Sequence, residues 1–151
     1  MPVIKLETYI NAPVERCFDH ARSIDLHTDS MKHTSEQAIA GRTHGLIEPG
    51  ETVTWRAKHF GIWQTLTSKI TQFDYPNSFT DEMVSGTFRS FKHEHRFRQV
   101  NGHTTMTDVF SYEAPFGLLG RLANFLFLKG YMKRLLEVRN QVIKQAAEVN
   151  G

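Results

Sequence analysis

A long amphipathic helix near the C-terminal end of the sequence most constrains how this chain can fold. Over residues 125–149, apolar side chains recur at alternating spacings of three and four, which places them on one face of a helix. The series is Phe125, Leu128, Met132, Leu135, Val142, Ala146 and Val149, and Leu136 and Ile143 widen the same face. We therefore expect one helix over residues 125–149, with its apolar face buried against another part of the chain.

Arg139 interrupts this apolar face. A guanidinium in such a position is costly unless it reaches solvent or finds a partner. Three interpretations are open: the side chain reaches solvent at the helix edge, pairs with a carboxylate, or donates to an acidic group of a ligand. The carboxylates considered are Asp81, Glu82 and Asp108. The position of Arg139 in the middle of the apolar face favours a carboxylate or a ligand over solvent.

Length and composition favour a single domain over residues 1–151 in the cytoplasm. A chain of 151 residues buries roughly 70% of its unfolded surface, which is enough for a core without disulfides. The one cysteine, Cys17, cannot form an internal disulfide, and no secretion signal is recognisable, as expected in a reducing compartment.

The charge and hydropathy of the sequence argue against two kinds of partner or location. A net charge of +2 argues against a nucleic-acid partner. No apolar run approaches the roughly 20 residues of a membrane span.

The N-terminal third of the sequence predicts a strand followed by one or two short helices. Residues 3–10 form the strand, Pro13 suits the first turn of a helix, and a second short helix runs from Ser23 to about Met31. From Glu51 onward the apolar pattern changes to a period of two, which is typical of half-buried antiparallel strands.

A first hairpin can be registered from its turn. A tight turn at residues 60–61 pairs His59 with Ile62 and Trp55 with Leu66. One face of the hairpin is then mostly apolar, and we assign it to the interior. This inner face carries Val53, Trp55, Ala57, His59, Leu66 and Ile70.

Asn101 and Gly102 mark a second hairpin. Asn-Gly between two strand patterns is the strongest short hairpin signal, and it pairs Val100 with His103. Aromatic side chains assign one face of this hairpin to the interior, so two histidines and an aspartate also point inward. The inner face carries Phe91, His93, His95, Phe97, Met106, Asp108, Phe110 and Tyr112.

Four segments of the sequence, in this order of elements, resemble a known superfamily. They are Asn11-Ala12-Pro13-Val14-Glu15, Phe91-Lys92-His93-Glu94-His95-Arg96-Phe97, Thr107-Asp108, and Pro115-Phe116-Gly117 leading into Leu135-Leu136-Glu137-Val138-Arg139-Asn140. The whole chain resembles the START-like (SRPBCC) superfamily, which includes polyketide cyclase/dehydrase-like proteins and lipid-transfer domains.

The resemblance implies an α+β helix-grip fold. In this fold a curved antiparallel sheet of about seven strands wraps around a long C-terminal helix, with one or two short helices after the first strand. The resemblance also implies a cavity between the sheet and the C-terminal helix that holds an apolar or amphipathic small molecule.

His95 and Asp108 face each other in the predicted register. Directly opposed residues have Cβ atoms about 4.5–5.5 Å apart, so Asp108 could hold one imidazole nitrogen while the other faces the cavity. Such a pair serves as a general base. The alternative is a structural network in which His95 and Asp108 satisfy each other beside Arg139.

His93 and His95 could also begin a metal site completed by His59 or Asp108, since imidazole and carboxylate ligands suit zinc or iron. No cysteine cluster or HExxH motif accompanies them. We therefore predict no metal and no cofactor.

The segment 115–128 is apolar on nearly all sides. Such a segment serves as a gate to the cavity, as a transient contact with a membrane surface, as packing on the rim of the sheet, or as a homodimer contact. The sequence leaves these four alternatives open.

We predict a protein that binds or carries a hydrophobic small molecule, such as a lipid, a quinone or a polyketide-like aromatic compound. The alternative is a cyclase, dehydratase or hydrolase that uses His95 and Asp108 as the base and Arg139 to polarise a carbonyl. The predicted ligand-binding residues are Val53, Trp55, His59, Leu66, Phe91, His93, His95, Phe97, Met106, Asp108, Phe110, Met132, Leu135 and Arg139, with His95, Asp108 and Arg139 at the polar end of the ligand.

Overall fold

A computed structural model describes residues 2–149 and shows a curved antiparallel sheet that wraps around a long C-terminal helix. The strands are β1 (Val3–Ile10), β2 (Gln37–Gly41), β3 (Thr52–His59), β4 (Ile62–Asp74), β5 (Ser78–Gly86), β6 (Ser90–Val100) and β7 (His103–Glu113), and the helices are α1 (Val14–Ala21), α2 (Ile24–Ser30), α3 (Gly117–Ala123) and α4 (Lys129–Val149). A 3₁₀ turn at Lys32–Thr34 follows α2, and a π-helical turn at Asn124–Leu128 joins α3 to α4. The predicted helix-grip fold is confirmed.

The sheet has the strand order β1-β7-β6-β5-β4-β3-β2. Strands that follow one another in sequence are therefore neighbours, except that β1 pairs with β7. The sequence pattern did not locate β2. This edge strand is short, and a register shift between Ala38 and Ala40 breaks the alternation that would have marked it.

Both predicted hairpin registers are confirmed. Trp55 pairs with Leu66 across β3 and β4, and His95 pairs with Asp108 across β6 and β7. Each hairpin turns through two residues with positive φ: 53° and 75° at residues 60–61, and 53° and 80° at residues 101–102. This conformation matches the right-handed twist of the strands and fixes their pairing.

The C-terminal helix begins at Gly117 rather than near residue 125, because α3, the π-helical turn and α4 form one continuous right-handed helix. Its buried face agrees with the predicted one at Leu135, Leu136, Arg139 and Ile143 but not at the two ends. Phe125 and Val149 are 85% and 83% exposed. The π-helical turn adds a residue to one turn of the helix, so Phe125 within it and the residues before it are out of phase with the buried face of α4. This change of phase does not account for Val149, which is the last residue of α4. That face carries Leu135, Leu136, Arg139, Asn140, Ile143 and Ala147.

Two apolar clusters and a polar layer fill the space between the sheet and the helix. One cluster surrounds Phe18 of α1, and the other surrounds Phe110 of β7 and Leu136 of α4. Along β6 and β7 the inward positions between the two clusters are occupied by His93, His95 and Asp108. These three residues form the polar layer together with their hydrogen-bond partners Asp81 of β5 and Arg139 and Asn140 of α4. The fold therefore brings polar side chains into the interior at one level of the sheet. No helix within residues 2–149 is both long and apolar enough to span a membrane, and the single-domain organisation remains a prediction.

Candidate functional site

Asp108 is the centre of the buried polar layer. Its side chain is fully buried, and its carboxylate accepts hydrogen bonds of 2.7 Å from His93 Nε2 and 2.7 Å from Asn140 Nδ2. Arg139 Nη1 lies 3.4 Å from Oδ1. Burial alone would raise the pKa of Asp108, but the hydrogen bond from His93 and the charge of Arg139 hold it well below its usual range. Asp108 is therefore ionised at neutral pH.

The His95 imidazole is held between Asp81 and Arg139. Its Nε2 lies 2.7 Å from Asp81 Oδ2, and its Nδ1 lies 3.4 Å from Arg139 Nη2. Burial, together with the neighbouring His93 and Arg139, lowers the pKa of His95 to about 4 although Asp81 opposes the change. His95 is therefore neutral at neutral pH. The tautomer that satisfies both contacts donates from Nε2 to Asp81 and accepts at Nδ1 from Arg139.

The predicted hydrogen-bonded pair of His95 and Asp108 is replaced by two diagonal pairs. The backbones of His95 and Asp108 are opposed, but the shortest distance between the two side chains is 3.5 Å, from Nδ1 to Oδ1. His93 forms a hydrogen bond with Asp108, and His95 forms one with Asp81 on β5. Long side chains reach diagonal neighbours across a sheet, and here the two imidazoles stack with ring centres 3.8 Å apart.

Arg139 binds protein acceptors with four of its five N–H groups. Nη1 donates to Asp108 and, at 3.0 Å, to Asn140 Oδ1. Nη2 donates to the Ala21 carbonyl at 3.2 Å and to His95 Nδ1. Because the Arg139 side chain is buried, it does not reach solvent at the helix edge. Among the predicted carboxylate partners, Asp108 is the one within ion-pair distance.

A cavity of about 520 Å³ lies between the inner face of the sheet and the C-terminal helix. Its wall is mostly apolar, and the polar layer contributes Asp81, His93 and Arg139 to one end of it. Eight of the predicted ligand-binding residues lie in this wall: Trp55, His59, Leu66, Phe91, His93, Met132, Leu135 and Arg139.

Six predicted ligand-binding residues lie behind the wall rather than in it: Val53, His95, Phe97, Met106, Asp108 and Phe110. Val53, Phe97 and Met106 belong to the apolar cluster around Phe18, and α1 packs on the strands β6 and β7 that carry Phe97 and Met106. Phe110 packs in the second cluster, with its ring 5.5 Å from that of Phe91. Arg139, Asn140 and His93 cover Asp108, while Phe79 and His93 stack on the two faces of His95.

Asp81 is the polar wall residue whose role the sequence analysis missed. It pairs with His93 in the register of β5 and β6, which places it on the inner face. No turn signal of the quality of Asn-Gly fixes the register of β5, so its inward residues could not be assigned from sequence. Residues from α2 to β2, including Met31 and Glu36, also line the cavity, and the strand that positions them was not recognised.

The cavity opens beside the first turns of the C-terminal helix. Phe116 and Leu119 line the cavity, yet they are 84% and 73% exposed. The ring of Phe127 packs 5.5 Å from that of Phe60 in the turn between β3 and β4. Deeper in the wall, His59 Nδ1 lies 2.6 Å from Tyr131 Oη, and burial lowers the pKa of His59. The opening is therefore bordered by apolar and aromatic side chains.

Three residues of the polar layer lie at the spacing of metal ligands. Asp81, His93 and His95 each offer one ligand atom, and these atoms lie within 4.8 Å of one another. The carboxylate of this group is Asp81, whereas the sequence analysis considered Asp108 or His59 as the residue that would complete such a site. Arg139 contacts His95 Nδ1, and its positive charge opposes a cation at this position. The absence of a metal or cofactor remains a prediction.

A seven-stranded antiparallel sheet that grips a long C-terminal helix, with a cavity between them, defines the helix-grip class of proteins. The chain belongs to the family described as polyketide cyclase / dehydrase and lipid transport, whose sequence model matches residues 10–130. A search of curated proteins finds no match.

Solved structures with the same fold come from bacteria and plants. The Thermus thermophilus protein TTHA0849 is 20% identical, with 97% of this chain and 99% of that chain covered and a TM-score of 0.74. The major latex-like protein 151 of Panax ginseng is 14% identical, with 97% of each chain covered and a TM-score of 0.69. Protein Ms6760 of Mycobacterium smegmatis is 18% identical, with 99% and 92% covered and a TM-score of 0.69. At these identities the similarity shows the fold.

Proposed function

We propose that this protein binds a hydrophobic or amphipathic small molecule, such as a lipid, a quinone or a polyketide-like aromatic compound. The observation that carries the proposal is the cavity of about 520 Å³, whose mostly apolar wall includes a cluster of polar groups formed by Asp81, His93 and Arg139. Small-molecule sites commonly have volumes of about 300–1,000 Å³ and this distribution of polar groups. Membership of a family described as polyketide cyclase / dehydrase and lipid transport supports the same class of ligand.

A panel of lipids, quinones and aromatic polyketides is expected to contain compounds that stabilise the protein. A ligand present at about 100 times its Kd raises the free energy of unfolding by about 2.7 kcal/mol, which thermal unfolding detects and native mass spectrometry confirms as a complex. Ala57→Phe is expected to abolish this stabilisation, because Ala57 lies in the cavity wall. Lys58→Phe places the same ring on the exposed neighbouring residue and serves as the control. A panel without any stabilising compound would remove the main support for the proposal.

An enzyme of the cyclase, dehydratase or hydrolase type is the second candidate function. One observation favours it: Asp108 holds Nε2 of His93 at 2.7 Å, and His93 lies in the cavity wall. A carboxylate that orients an imidazole in this way prepares it to act as a general base. His93 takes the catalytic role assigned from sequence to His95, because both nitrogens of His95 contact protein groups.

The enzymatic candidate gives a distinct expectation for His93→Ala. General base catalysis contributes about 10²–10⁴-fold to a rate. The kcat of this variant is therefore expected to fall at least a hundredfold, while its KM for the substrate stays nearly unchanged. Turnover of cyclisation, dehydration and ester substrates is measured on purified protein, with His103→Ala as an exposed histidine control. An unchanged kcat in His93→Ala would exclude the proposed base.

We also propose that the first part of the C-terminal helix contacts an anionic membrane surface beside the cavity opening. Leu118 and Phe125 are 80% and 85% exposed. Large apolar side chains that are exposed together in one segment indicate a surface that binds a protein or a membrane. Residues 114–136 contain no acidic residue. Basic side chains flanking an exposed apolar helix attract anionic lipids. The basic residues of this segment are Arg121, Lys129, Lys133 and Arg134.

A further inference from the structure

The polar end of the cavity presents an acceptor that has no protein donor. Asp81 Oδ2 accepts from His95, but no protein group bonds Oδ1 among the described residues. Within residues 2–149 no buried side-chain nitrogen or oxygen lacks a hydrogen-bond partner, so Oδ1 is accessible, and Asp81 lies in the cavity wall. Burial raises the pKa of Asp81, but the hydrogen bond from His95 outweighs this and lowers it. Asp81 therefore presents a charged oxygen to the cavity.

The donors at the same end are largely in use. Arg139 directs four N–H groups to protein acceptors, which leaves its Nε–H. His95 donates its one proton to Asp81. Elsewhere in the cavity wall, Glu36 is a further carboxylate, and its Oε2 lies 3.2 Å from His27 Nε2. An acidic ligand group would meet the Asp81 carboxylate in the wall, while the Arg139 guanidinium is already paired with Asp108 behind it. Like charges in a partly desolvated site repel strongly.

We propose that the ligand enters with a neutral or cationic hydrogen-bond donor, such as a hydroxyl, phenol or amine, which binds Asp81 Oδ1, and that ligands ending in a carboxylate are rejected. This inference rests on the proposed ligand-binding function and narrows its ligand class. It also reverses one interpretation of the sequence, in which Arg139 received an acidic group of the ligand. A ligand that fills the cavity displaces water from Oδ1, and an acceptor that becomes buried without a donor is costly. A ligand that supplies the donor therefore gains affinity over one that does not.

The test compares three ligands with the same ring system: naphthalene, 2-naphthol and 2-naphthoate. Calorimetric titration of the wild-type protein is expected to give a Kd for 2-naphthol at least tenfold lower than for 2-naphthoate, because a hydrogen bond to a charged group and a charge repulsion act in the same direction. Naphthalene is expected to bind between the two. An alkyl pair, 1-dodecanol and dodecanoate, repeats the comparison for a ligand of different shape.

Asp81→Asn is expected to reduce the preference for 2-naphthol over 2-naphthoate to less than threefold. The asparagine side chain keeps an oxygen that can accept from His95, so the fold is expected to survive, and thermal unfolding checks this. Glu82→Gln removes the same charge from the next residue of β5, which lies outside the cavity wall. This control is expected to keep the tenfold preference.

Carboxylates that bind as tightly as the matching alcohols would overturn the inference while leaving the proposed function in place. A preference that survives Asp81→Asn would also overturn it, because the selectivity would then come from elsewhere. If none of the five compounds binds, and the wider panel of lipids and quinones also fails, both the inference and the proposed function are wrong. If Asp81→Asn does not fold, the wild-type protein alone still tests whether the cavity binds alcohols more tightly than the matching carboxylates.

Discussion

Asp108→Ala is expected to lower the free energy of unfolding by about 3–5 kcal/mol, which is the usual cost of removing one partner of a buried ion pair. The buried Arg139 guanidinium would lose its carboxylate, and both His93 and Asn140 would lose the acceptor that they share. Urea unfolding followed by circular dichroism measures the change. The effect is large because Asp108 is fully buried and its one side chain joins the sheet to the C-terminal helix.

Two further variants test whether the lost stability comes from the broken buried ion pair rather than from any substitution in the sheet. Glu94→Ala removes a carboxylate that pairs at 2.7 Å with the exposed Arg96 on the same strand, and it is expected to cost less than about 1 kcal/mol. Asp108→Leu combined with Arg139→Met removes both buried charges and is expected to be less destabilising than Asp108→Ala alone. A loss below about 1 kcal/mol in Asp108→Ala would contradict the central role of this carboxylate.

Replacing both Leu118 and Phe125 with serine is expected to weaken binding to anionic vesicles roughly a hundredfold. Each side chain contributes about 1.5–3 kcal/mol when it is fully buried in an apolar environment, and each factor of ten in affinity corresponds to about 1.4 kcal/mol. Neither residue lies in the cavity wall, so ligand affinity in solution is expected to stay unchanged. Co-sedimentation with vesicles of phosphatidylcholine and phosphatidylglycerol measures the binding.

The vesicle experiment has internal controls for both attractive forces. Vesicles of phosphatidylcholine alone, or salt raised to about 1 M, are expected to weaken binding because the basic residues then lack anionic partners or are screened from them. Tyr9→Ser with Val149→Ser removes two other exposed apolar side chains, from β1 and the far end of α4, and is expected to have no effect. Absence of vesicle binding together with a dimer that the Leu118 and Phe125 variant dissociates would assign this surface to self-association instead.

Sequence patterns predicted those parts of the fold in which a local signal fixes a geometry. The turns at residues 60–61 and 101–102 each set the register of a whole hairpin, and the structure confirms the pairings that follow from them. The C-terminal helix was recognised from its periodicity, but its start was not. A π-helical turn at Asn124–Leu128 changes the phase of the helix, and a search for spacings of three and four is blind to such a change.

The sequence predicted which residues belong to the candidate site better than it predicted the hydrogen bonds between them. His93, His95, Asp108 and Arg139 were all placed inward, because register and helical periodicity determine the face on which a residue lies. Which side chain bonds to which depends on rotamers and on diagonal neighbours, and neither is encoded in strand pairing. Asp81 shows this limit most clearly, since its role depends on a strand whose register no local turn determines.

The π-helical turn divides the C-terminal helix into two lengths that are held in different ways. The buried Arg139 and Asn140 fix α4, whereas the Tyr112 hydroxyl donates to Asn124 in the turn itself and Phe127 packs on Phe60. Much of the apolar surface of α3, before the turn, is already exposed to solvent. Opening this outer part of the helix therefore exposes little additional apolar surface. Local opening then costs far less than global unfolding. We therefore expect ligand exchange to depend on local opening of this part of the helix rather than on unfolding of the whole chain.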